Sequence, residues 1–125
     1  MKITKVKIIK NNKGLIYKIH SARKSSKKIK ELYFNQISPK KETLWIRHEI
    51  ATCNFYVVQG FCKIQTVSKN NNKKNIIVRS FSNIKIIIKA GNWFKIINKS
   101  NKKLIILNYL DMKHKKNEFE KRKKI

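Results

Sequence analysis

The fold is decided by residues 53–68, which read CNFYVVQGFCKIQTVS. Two segments rich in aromatic and β-branched residues flank Gly60, a pattern that predicts two strands joined by a tight turn. Segments of this kind recur along the chain and predict ten strands, at 3–9, 14–20, 29–37, 43–50, 53–59, 61–68, 76–81, 84–89, 93–98 and 103–109. Ten short strands in succession predict an all-β sandwich or barrel.

The breaks between these segments carry turn residues, among them Gly14, Pro39 and Gly91. The polar stretch 70–74 predicts a hairpin tip. Residues 112–124 are polar and contain no β-branched side chain, so they predict a short C-terminal helix or tail after a barrel core at about 14–110. A chain of 125 residues has room for a single domain.

The net charge is extreme, since 32 Lys and Arg face 6 Asp and Glu, which leaves +26. Such a chain attracts polyanions, nucleic acid included. The lysines occur singly on nearly every predicted strand and do not interleave with aromatics in a known module. This distribution predicts a general basic coating with non-specific binding.

The sequence contains no apolar stretch of 18 residues, which argues against a membrane span. Its first ten residues lack the apolar core of a signal peptide, so we expect a cytoplasmic protein. The two cysteines, Cys53 and Cys62, are expected to be reduced thiols, and their spacing does not resemble a zinc site.

His48 is the strongest candidate for chemistry. In the segment 43–50, TLWIRHEI, strand alternation places His48 on the apolar face and Arg47 on the opposite one. A histidine surrounded by aliphatic side chains is desolvated, stays neutral and can accept a proton as a general base. A core histidine satisfied by a neighbouring tyrosine or carbonyl is the alternative interpretation.

Two further polar residues are candidates for the same interior. Tyr33 lies in 31–34, ELYF, and Asn108 shares a strand face with Leu104 and Ile106. A phenol can protonate an enolate and an amide can orient a sugar hydroxyl, although such residues in strands often only pack.

His114 and Glu118 are spaced i, i+4, which on a helix places them on one face. Without a second cluster this pair does not predict a metal site. A solvated tail is the favoured interpretation.

Eight segments, taken in order, are similar to motifs of the nucleotide-sugar cupins over about residues 14–124. The family pattern is G-E-x-Y-F-S, K-x-W-K-x-H and N-L-x-V-x-x-G-x-V, followed by N-Y, P-P-G-x-W-F, L-N and H-D-P-x-E. The matching segments are 14–19, 31–34, 45–48, 55–60, 83–85, 91–94, 107–108 and 114–118.

The resemblance implies a cupin β-barrel or jelly roll related to sugar 3,4-ketoisomerases and dTDP-4-dehydrorhamnose 3,5-epimerase-like proteins. These are homodimers that act on dTDP-4-keto-6-deoxysugars for surface polysaccharides such as lipopolysaccharide, without a metal or other cofactor. By this resemblance His48 is the catalytic base and Tyr33 the acid. Arg47, Asn108 and Trp93 are implied as substrate-binding residues.

The chain departs from the family pattern at four places, two of which involve His114: His114-Lys115-Lys116 replaces H-D-P, and the tyrosine of the epimerases corresponds at best to His114. Lys89-Ala90-Gly91 replaces P-P-G, and Ile46 stands where the ketoisomerases carry the first of two histidines. The leading hypothesis is a sugar-nucleotide epimerase or isomerase. The alternative is a non-catalytic cupin with a binding or structural role, which associates with polyanions through its charge.

Overall fold

A computed structural model describes residues 1–21, 28–113 and 118–125. The described residues form strands and no helix, which confirms the all-β prediction. The strands are β1 (Lys2–Lys5), β2 (Lys7–Asn11), β3 (Gly14–Lys18), β4 (Glu31–Ile37), β5 (Trp45–His48), β6 (Cys53–Gln59), β7 (Phe61–Val67), β8 (Lys73–Arg79), β9 (Ile84–Ile88), β10 (Trp93–Asn98), β11 (Leu104–Leu110) and β12 (Phe119–Arg122).

Ten of the strands form two five-stranded antiparallel sheets. The first sheet has the order β1-β9-β6-β11-β4, and the second has the order β12-β5-β10-β7-β8. Within residues 1–21, 28–113 and 118–125, strands β2 and β3 pair only with each other, as a separate hairpin. This is a jelly-roll arrangement, because successive strands repeatedly change from one sheet to the other. No helix in the described ranges has the length and hydropathy needed to cross a bilayer.

The core lies between the two sheets and follows the alternation of residues 53–68. Phe55 and Val57 point inward from β6, and Cys62 and Ile64 point inward from β7. All four side chains are buried because period-two alternation sends every second residue to the same face. Phe55 also contacts Phe94 of the second sheet, with ring centroids 5.3 Å apart, so the two sheets meet through these rings.

Two predicted strands differ from the observed ones. The prediction of one strand at 3–9 is wrong, because the chain divides at buried Val6, whose N–H donates to the carbonyl of Asn83 at 2.6 Å. The strand predicted at 43–50 is shorter, and Leu44 and Ile50 outside it are exposed rather than facing the core.

The predicted C-terminal helix is also wrong for the residues that are described. Phe119–Arg122 form β12, which pairs with β5 and places Phe119 opposite His48. Pairing with the edge of β5 gives hydrogen-bond partners to backbone groups that would contact water in a solvated tail. The segment is therefore a strand because of this long-range pairing and not because of its local sequence. His114 lies outside the described residues.

The hairpin tip predicted at 70–74 lies between β7 and β8, but it ends at Asn72, because Lys73 and Lys74 already belong to β8. Asn71 has a positive φ of 61° and donates its N–H to the carbonyl of Ser68 at 3.0 Å. Asparagine tolerates this left-handed conformation better than most residues.

Asn98, at the end of β10, is a buried polar residue whose side chain forms hydrogen bonds to two loops. Its Nδ2 donates to the carbonyls of Ile37, Ser38 and Lys102 at 2.9, 3.1 and 2.8 Å. Its Oδ1 accepts from the backbone N–H and the hydroxyl of Ser100 at 2.8 and 2.7 Å. The amide therefore satisfies backbone groups that the turns leave unpaired.

We expect Asn98→Ala to lower the free energy of unfolding by roughly 3 kcal/mol, because buried donors and acceptors would lose their partners. Urea denaturation measures this loss. Asn101→Ala is the matched control, since Asn101 is exposed and should change stability by about 0.5 kcal/mol or less. Equal losses for the two variants would contradict the role given to Asn98.

Candidate functional site

His48 lies at the end of β5 with its side chain in the interior between the sheets. The residue is 5% exposed, as strand alternation predicted for this position. Its backbone carbonyl accepts the N–H of Gly91 at 2.7 Å, and its backbone is opposite Phe119 of β12. The end of β5 is therefore fixed from both sides.

Glu118 is the partner of His48. A Glu118 carboxylate oxygen lies 2.7 Å from His48 Nδ1, and Glu118 is only 4% exposed. The other oxygen accepts the backbone N–H groups of Ala51 at 2.8 Å and Ile50 at 3.3 Å. The interpretation of Glu118 as part of a solvated tail is wrong, because the pairing of β12 with β5 carries it into the interior.

The environment of Glu118 keeps its carboxylate ionised. Burial by itself raises the pKa, but the hydrogen bonds from His48 and from the Ala51 and Ile50 backbone outweigh burial and lower the pKa below its ordinary value. An ionised carboxylate can only accept a hydrogen bond, so Nδ1 of His48 carries a hydrogen, and in the neutral form of the ring Nε2 is the nitrogen that can accept a proton. This is the arrangement of an oriented general base.

Aromatic rings pack against the imidazole of His48. Phe94 is stacked on it at a centroid distance of 6.2 Å and an interplanar angle of 6°, and Phe119 is tilted against it at 5.9 Å. Phe94 and Phe119 come from the strands on either side of β5 in the second sheet. The ring orientation is therefore set by packing as well as by Glu118.

Tyr33 and Asn108 are adjacent residues of the first sheet, paired across β4 and β11. Asn108 Nδ2 donates to the Tyr33 hydroxyl at 2.8 Å. Burial, followed by the neighbouring Cys53, raises the pKa of Tyr33 to about 12, so at neutral pH its phenol is a proton donor. The Oδ1 of Asn108, which is 2% exposed, has no hydrogen-bond partner among the described residues.

Cys53 belongs to the same interior, because it lies two residues before Phe55 on the inward face of β6. Burial, followed by the charges of Glu118 and Asp111, raises its pKa to about 12, so the thiol stays protonated and is not a nucleophile. The charge of Glu118 also contributes to the raised pKa of Tyr33. We call these five residues, His48, Glu118, Cys53, Asn108 and Tyr33, the interior cluster.

Arg47 and Trp93 lie outside the interior cluster. They are paired across β5 and β10, and the Arg47 guanidinium lies 4.9 Å from the centroid of the Trp93 ring on the outer face of the second sheet. Arg47 also bonds to Glu49 at 3.0 Å and Glu120 at 2.9 Å. The five predicted site residues thus divide into an interior set, His48, Tyr33 and Asn108, and an outer set, Arg47 and Trp93.

The functional residue that sequence reasoning missed is Glu118 as the histidine partner. The usable signal was the H-D-P-x-E match, which ends on Glu118, but the interpretation of the segment as a solvated tail or helix concealed the pairing. Among the described residues no group of three or more His, Cys, Asp or Glu side chains is arranged to hold a metal ion.

Comparisons with solved structures identify the fold. No family model matches the chain, and no curated protein matches it at a significant level. Solved structures do match: a TDP-quinovose 3,4-ketoisomerase from Campylobacter jejuni has a TM-score of 0.83 at 17% identity, with 97% of this chain and 92% of that chain covered.

Two further solved structures agree with it. A 3,4-ketoisomerase from Helicobacter canadensis has a TM-score of 0.81 at 21% identity, covering 94% of this chain and 87% of that one. A histidine-to-asparagine variant of a 3,4-ketoisomerase from Thermoanaerobacterium thermosaccharolyticum, in complex with TDP-4-keto-6-deoxyglucose, has a TM-score of 0.82 at 15% identity, covering 97% and 86%. The chain has the cupin jelly-roll fold of these nucleotide-sugar isomerases.

The lowered pKa of Glu118 predicts a pH-dependent stability. Because folding favours the ionised carboxylate, its contribution is fully present above the ordinary pKa of 4.5 and is lost as the pH falls through the lower folded value. The difference in unfolding free energy between wild type and Glu118→Gln should therefore be constant above pH 4.5 and shrink below it. Denaturation at a series of pH values measures it.

Glu49→Gln is the control, since Glu49 is half exposed. Its difference from wild type should stay small across the same pH range. A Glu118→Gln difference that stays constant down to pH 3 would contradict an ionised, hydrogen-bonded Glu118.

Proposed function

We propose that the protein is a sugar-nucleotide isomerase or epimerase that acts on a dTDP-4-keto-6-deoxyhexose by proton abstraction through an enolate. The observation that carries the proposal is the buried His48–Glu118 pair, with Nδ1 and Oε2 2.7 Å apart, in the same interior as the Tyr33–Asn108 pair. The likeness of the fold to that of TDP-sugar ketoisomerases supports it.

His48 removes the proton in this proposal. Nε2 takes it from the carbon next to the C4 ketone, and the electron pair moves onto the ketone oxygen to form the enolate. Glu118 stabilises the imidazolium that results and holds the ring in position, which makes it a positioning residue. The ketone already acidifies the neighbouring C–H bond, so no metal is required for this step.

Tyr33 returns a proton in the second step. Its neutral phenol donates to a carbon of the enolate, and the hydrogen bond from Asn108 stabilises the phenolate that is left. Solvent then reprotonates Tyr33 and takes the proton from His48. The chain contributes a base and an acid from opposite sheets, as a stereochemical change at carbon requires.

Asn108 also binds the sugar in this proposal. A buried amide oxygen without a partner costs about 1–3 kcal/mol, and a sugar hydroxyl is a suitable donor for it. Arg47 and Trp93 face away from this interior, and neither is needed for the two proton transfers. Their role as substrate-binding residues stays a prediction.

The setting of the reaction is part of the proposal. Both cysteines are free and buried, which fits a reducing compartment such as the cytoplasm. The product would supply surface polysaccharide synthesis, as the family resemblance implies.

The alternative, a non-catalytic cupin with a binding or structural role, is favoured by one observation. His48 is 5% exposed and packed against Phe94 and Phe119, so a substrate needs space that these rings now occupy or border. Isotope exchange separates the two functions because it needs only proton abstraction.

We expect wild-type protein in D₂O to incorporate deuterium next to the ketone of dTDP-4-keto-6-deoxyglucose, measured by NMR. His48→Asn should slow this exchange at least about 100-fold, the usual contribution of a general base. His20→Asn is the control, because His20 contacts Tyr109 and belongs to no part of the interior cluster. Equally slow exchange in wild type and His48→Asn would refute the enzymatic proposal.

Tyr33→Phe separates the two proton transfers. The base remains, so deuterium exchange should continue, while formation of isomerised or epimerised product should fall by about 100-fold. Chromatography of the reaction products measures the second quantity. Product formation at the wild-type rate would exclude Tyr33 as the acid.

We also propose a homodimer formed through β4 and the outer face of the first sheet. Leu32 and Phe34 alternate on β4, an edge strand, and are 55% and 59% exposed. Adjacent large apolar side chains at this exposure favour a protein interface. A second copy of the chain is the occupant that fits the homodimers implied by the resemblance.

Sedimentation of Phe34→Glu tests the dimer. A buried carboxylate at the interface should convert the dimer to a monomer at micromolar concentration, while Ile77→Glu, at a similarly exposed residue of the second sheet, should not. A monomeric wild type, or a Phe34→Glu variant that remains a dimer, would refute this interface.

A further inference from the structure

A cleft of about 1000 Å³ lies on the outer face of the second sheet, on the other side of β5 from His48. Trp45 and Trp93, the chain's two tryptophans, both line it. Neither the interior cluster nor the proposed reaction uses this cleft. It is the feature of the described chain that the proposed function leaves unexplained.

The side chains that line the cleft are strongly cationic. Among the described residues that line the cleft no side chain is acidic, and the cationic ones are Arg47, Lys69, Lys73, Arg122, Lys123 and Lys124. Glu120 neutralises part of this charge, since it bonds to both arginines. The four lysines make no ion pair with a described residue, so their positive charge faces the cleft uncompensated.

Cations and indoles alternate on this face. The guanidiniums of Arg47 and Arg122 lie 4.9 and 5.3 Å from the Trp93 ring centroid, and Lys95 Nζ lies 5.6 Å from that of Trp45. Each contact joins two different strands, for example where Arg47 of β5 is opposite Trp93 of β10, and spacing along the chain does not reveal it. The expectation of a uniform basic coating without interleaved aromatics is therefore wrong here.

We propose that this cleft binds single-stranded nucleic acid without sequence preference. A cationic groove with aromatic side chains suits such a ligand, because phosphates follow the charge and bases stack on the rings. Glu49 and Glu120 offset two of the six positive charges, and the four that remain still exceed the charge of one diphosphate group, which favours a polymer over a nucleotide. Lys95 Nζ is also held by Glu42 at 2.8 Å, so a base that stacks on Trp45 displaces Lys95 from both the ring and this carboxylate.

A concave site also favours nucleic acid over a membrane surface. The two indoles are partly buried in the cleft, whereas a bilayer requires apolar side chains that project from a convex surface. The proposal is independent of the isomerase, because its residues lie on the opposite side of the second sheet. Loss of one activity therefore leaves the other measurable.

Intrinsic fluorescence tests the proposal directly, because both tryptophans line the cleft. Titration with a 12-nucleotide oligothymidylate in moderate salt should quench the emission saturably. Heparin of similar charge should compete without the same quenching, since it has no base to stack. Vesicles containing phosphatidylserine should leave the emission unchanged, and a saturable blue shift with them would overturn the proposal in favour of a membrane.

Matched charge variants separate the cleft from the general charge. The cleft variant carries Lys69→Gln, Lys73→Gln, Lys123→Gln and Lys124→Gln. The control variant carries the same change at four exposed lysines of the β2–β3 hairpin, Lys7, Lys10, Lys13 and Lys18. Both lose four positive charges, and circular dichroism checks that both fold.

We expect the cleft variant to bind the oligonucleotide at least tenfold more weakly, and the control variant to change affinity less than threefold. A plot of log affinity against log salt concentration should be less steep by about 3 for the cleft variant, because each of the four lost phosphate contacts contributes about 0.7 to the slope. Equal weakening of the two variants, or saturable binding without tryptophan quenching, would show that coating charge alone binds the ligand and would overturn the proposal.

Discussion

The buried hydrogen bond between Glu118 and His48 is the constraint on which the candidate site depends. It requires β12 to pair with β5, since only that pairing brings the carboxylate beneath the imidazole. It also requires the bend after β5, where the N–H groups of Ile50 and Ala51 turn toward the same carboxylate. A buried charge is tolerated only when it is satisfied in this way.

This pair also explains how an interior rich in apolar side chains can hold chemistry. Each of the two sheets supplies one polar pair, His48–Glu118 or Tyr33–Asn108, and the aromatic contacts of Phe94 with His48 and Phe55 bridge the sheets. The two pairs differ in the ionisation state of their acidic groups. Glu118 is held ionised, whereas Tyr33 is held as a neutral phenol with a pKa of about 12. A base and an acid thus coexist in one interior.

The sequence predicted the parts of the fold that depend on local alternation. Residues 53–68 and the position of His48 follow from the period of two, which reports directly which face is buried. Leu44 and Ile50 did not follow, because the chain leaves the strand before reaching them. The partnership of Glu118 is a long-range pairing over 70 residues, and the polar composition of the C-terminal segment carries no sign of the strand edge that captures it.

The contacts on the outer face of the second sheet also could not be predicted from the sequence. Arg47, Trp93 and Arg122 come from three strands and meet only because those strands pair, so no linear motif describes their grouping. The basic residues are spread evenly along the sequence, but in the folded protein two arginines from different strands meet at Trp93.

The most direct test of the central claim is the tautomer of His48, measured from the imidazole ¹⁵N chemical shifts in labelled protein at neutral pH. The account predicts that the neutral form of the ring carries its hydrogen on Nδ1, and that Glu118→Gln loses this preference. A ring with hydrogen on Nε2, or one whose tautomer is the same in wild type and Glu118→Gln, would contradict the assignment of Glu118 as the group that makes His48 a base.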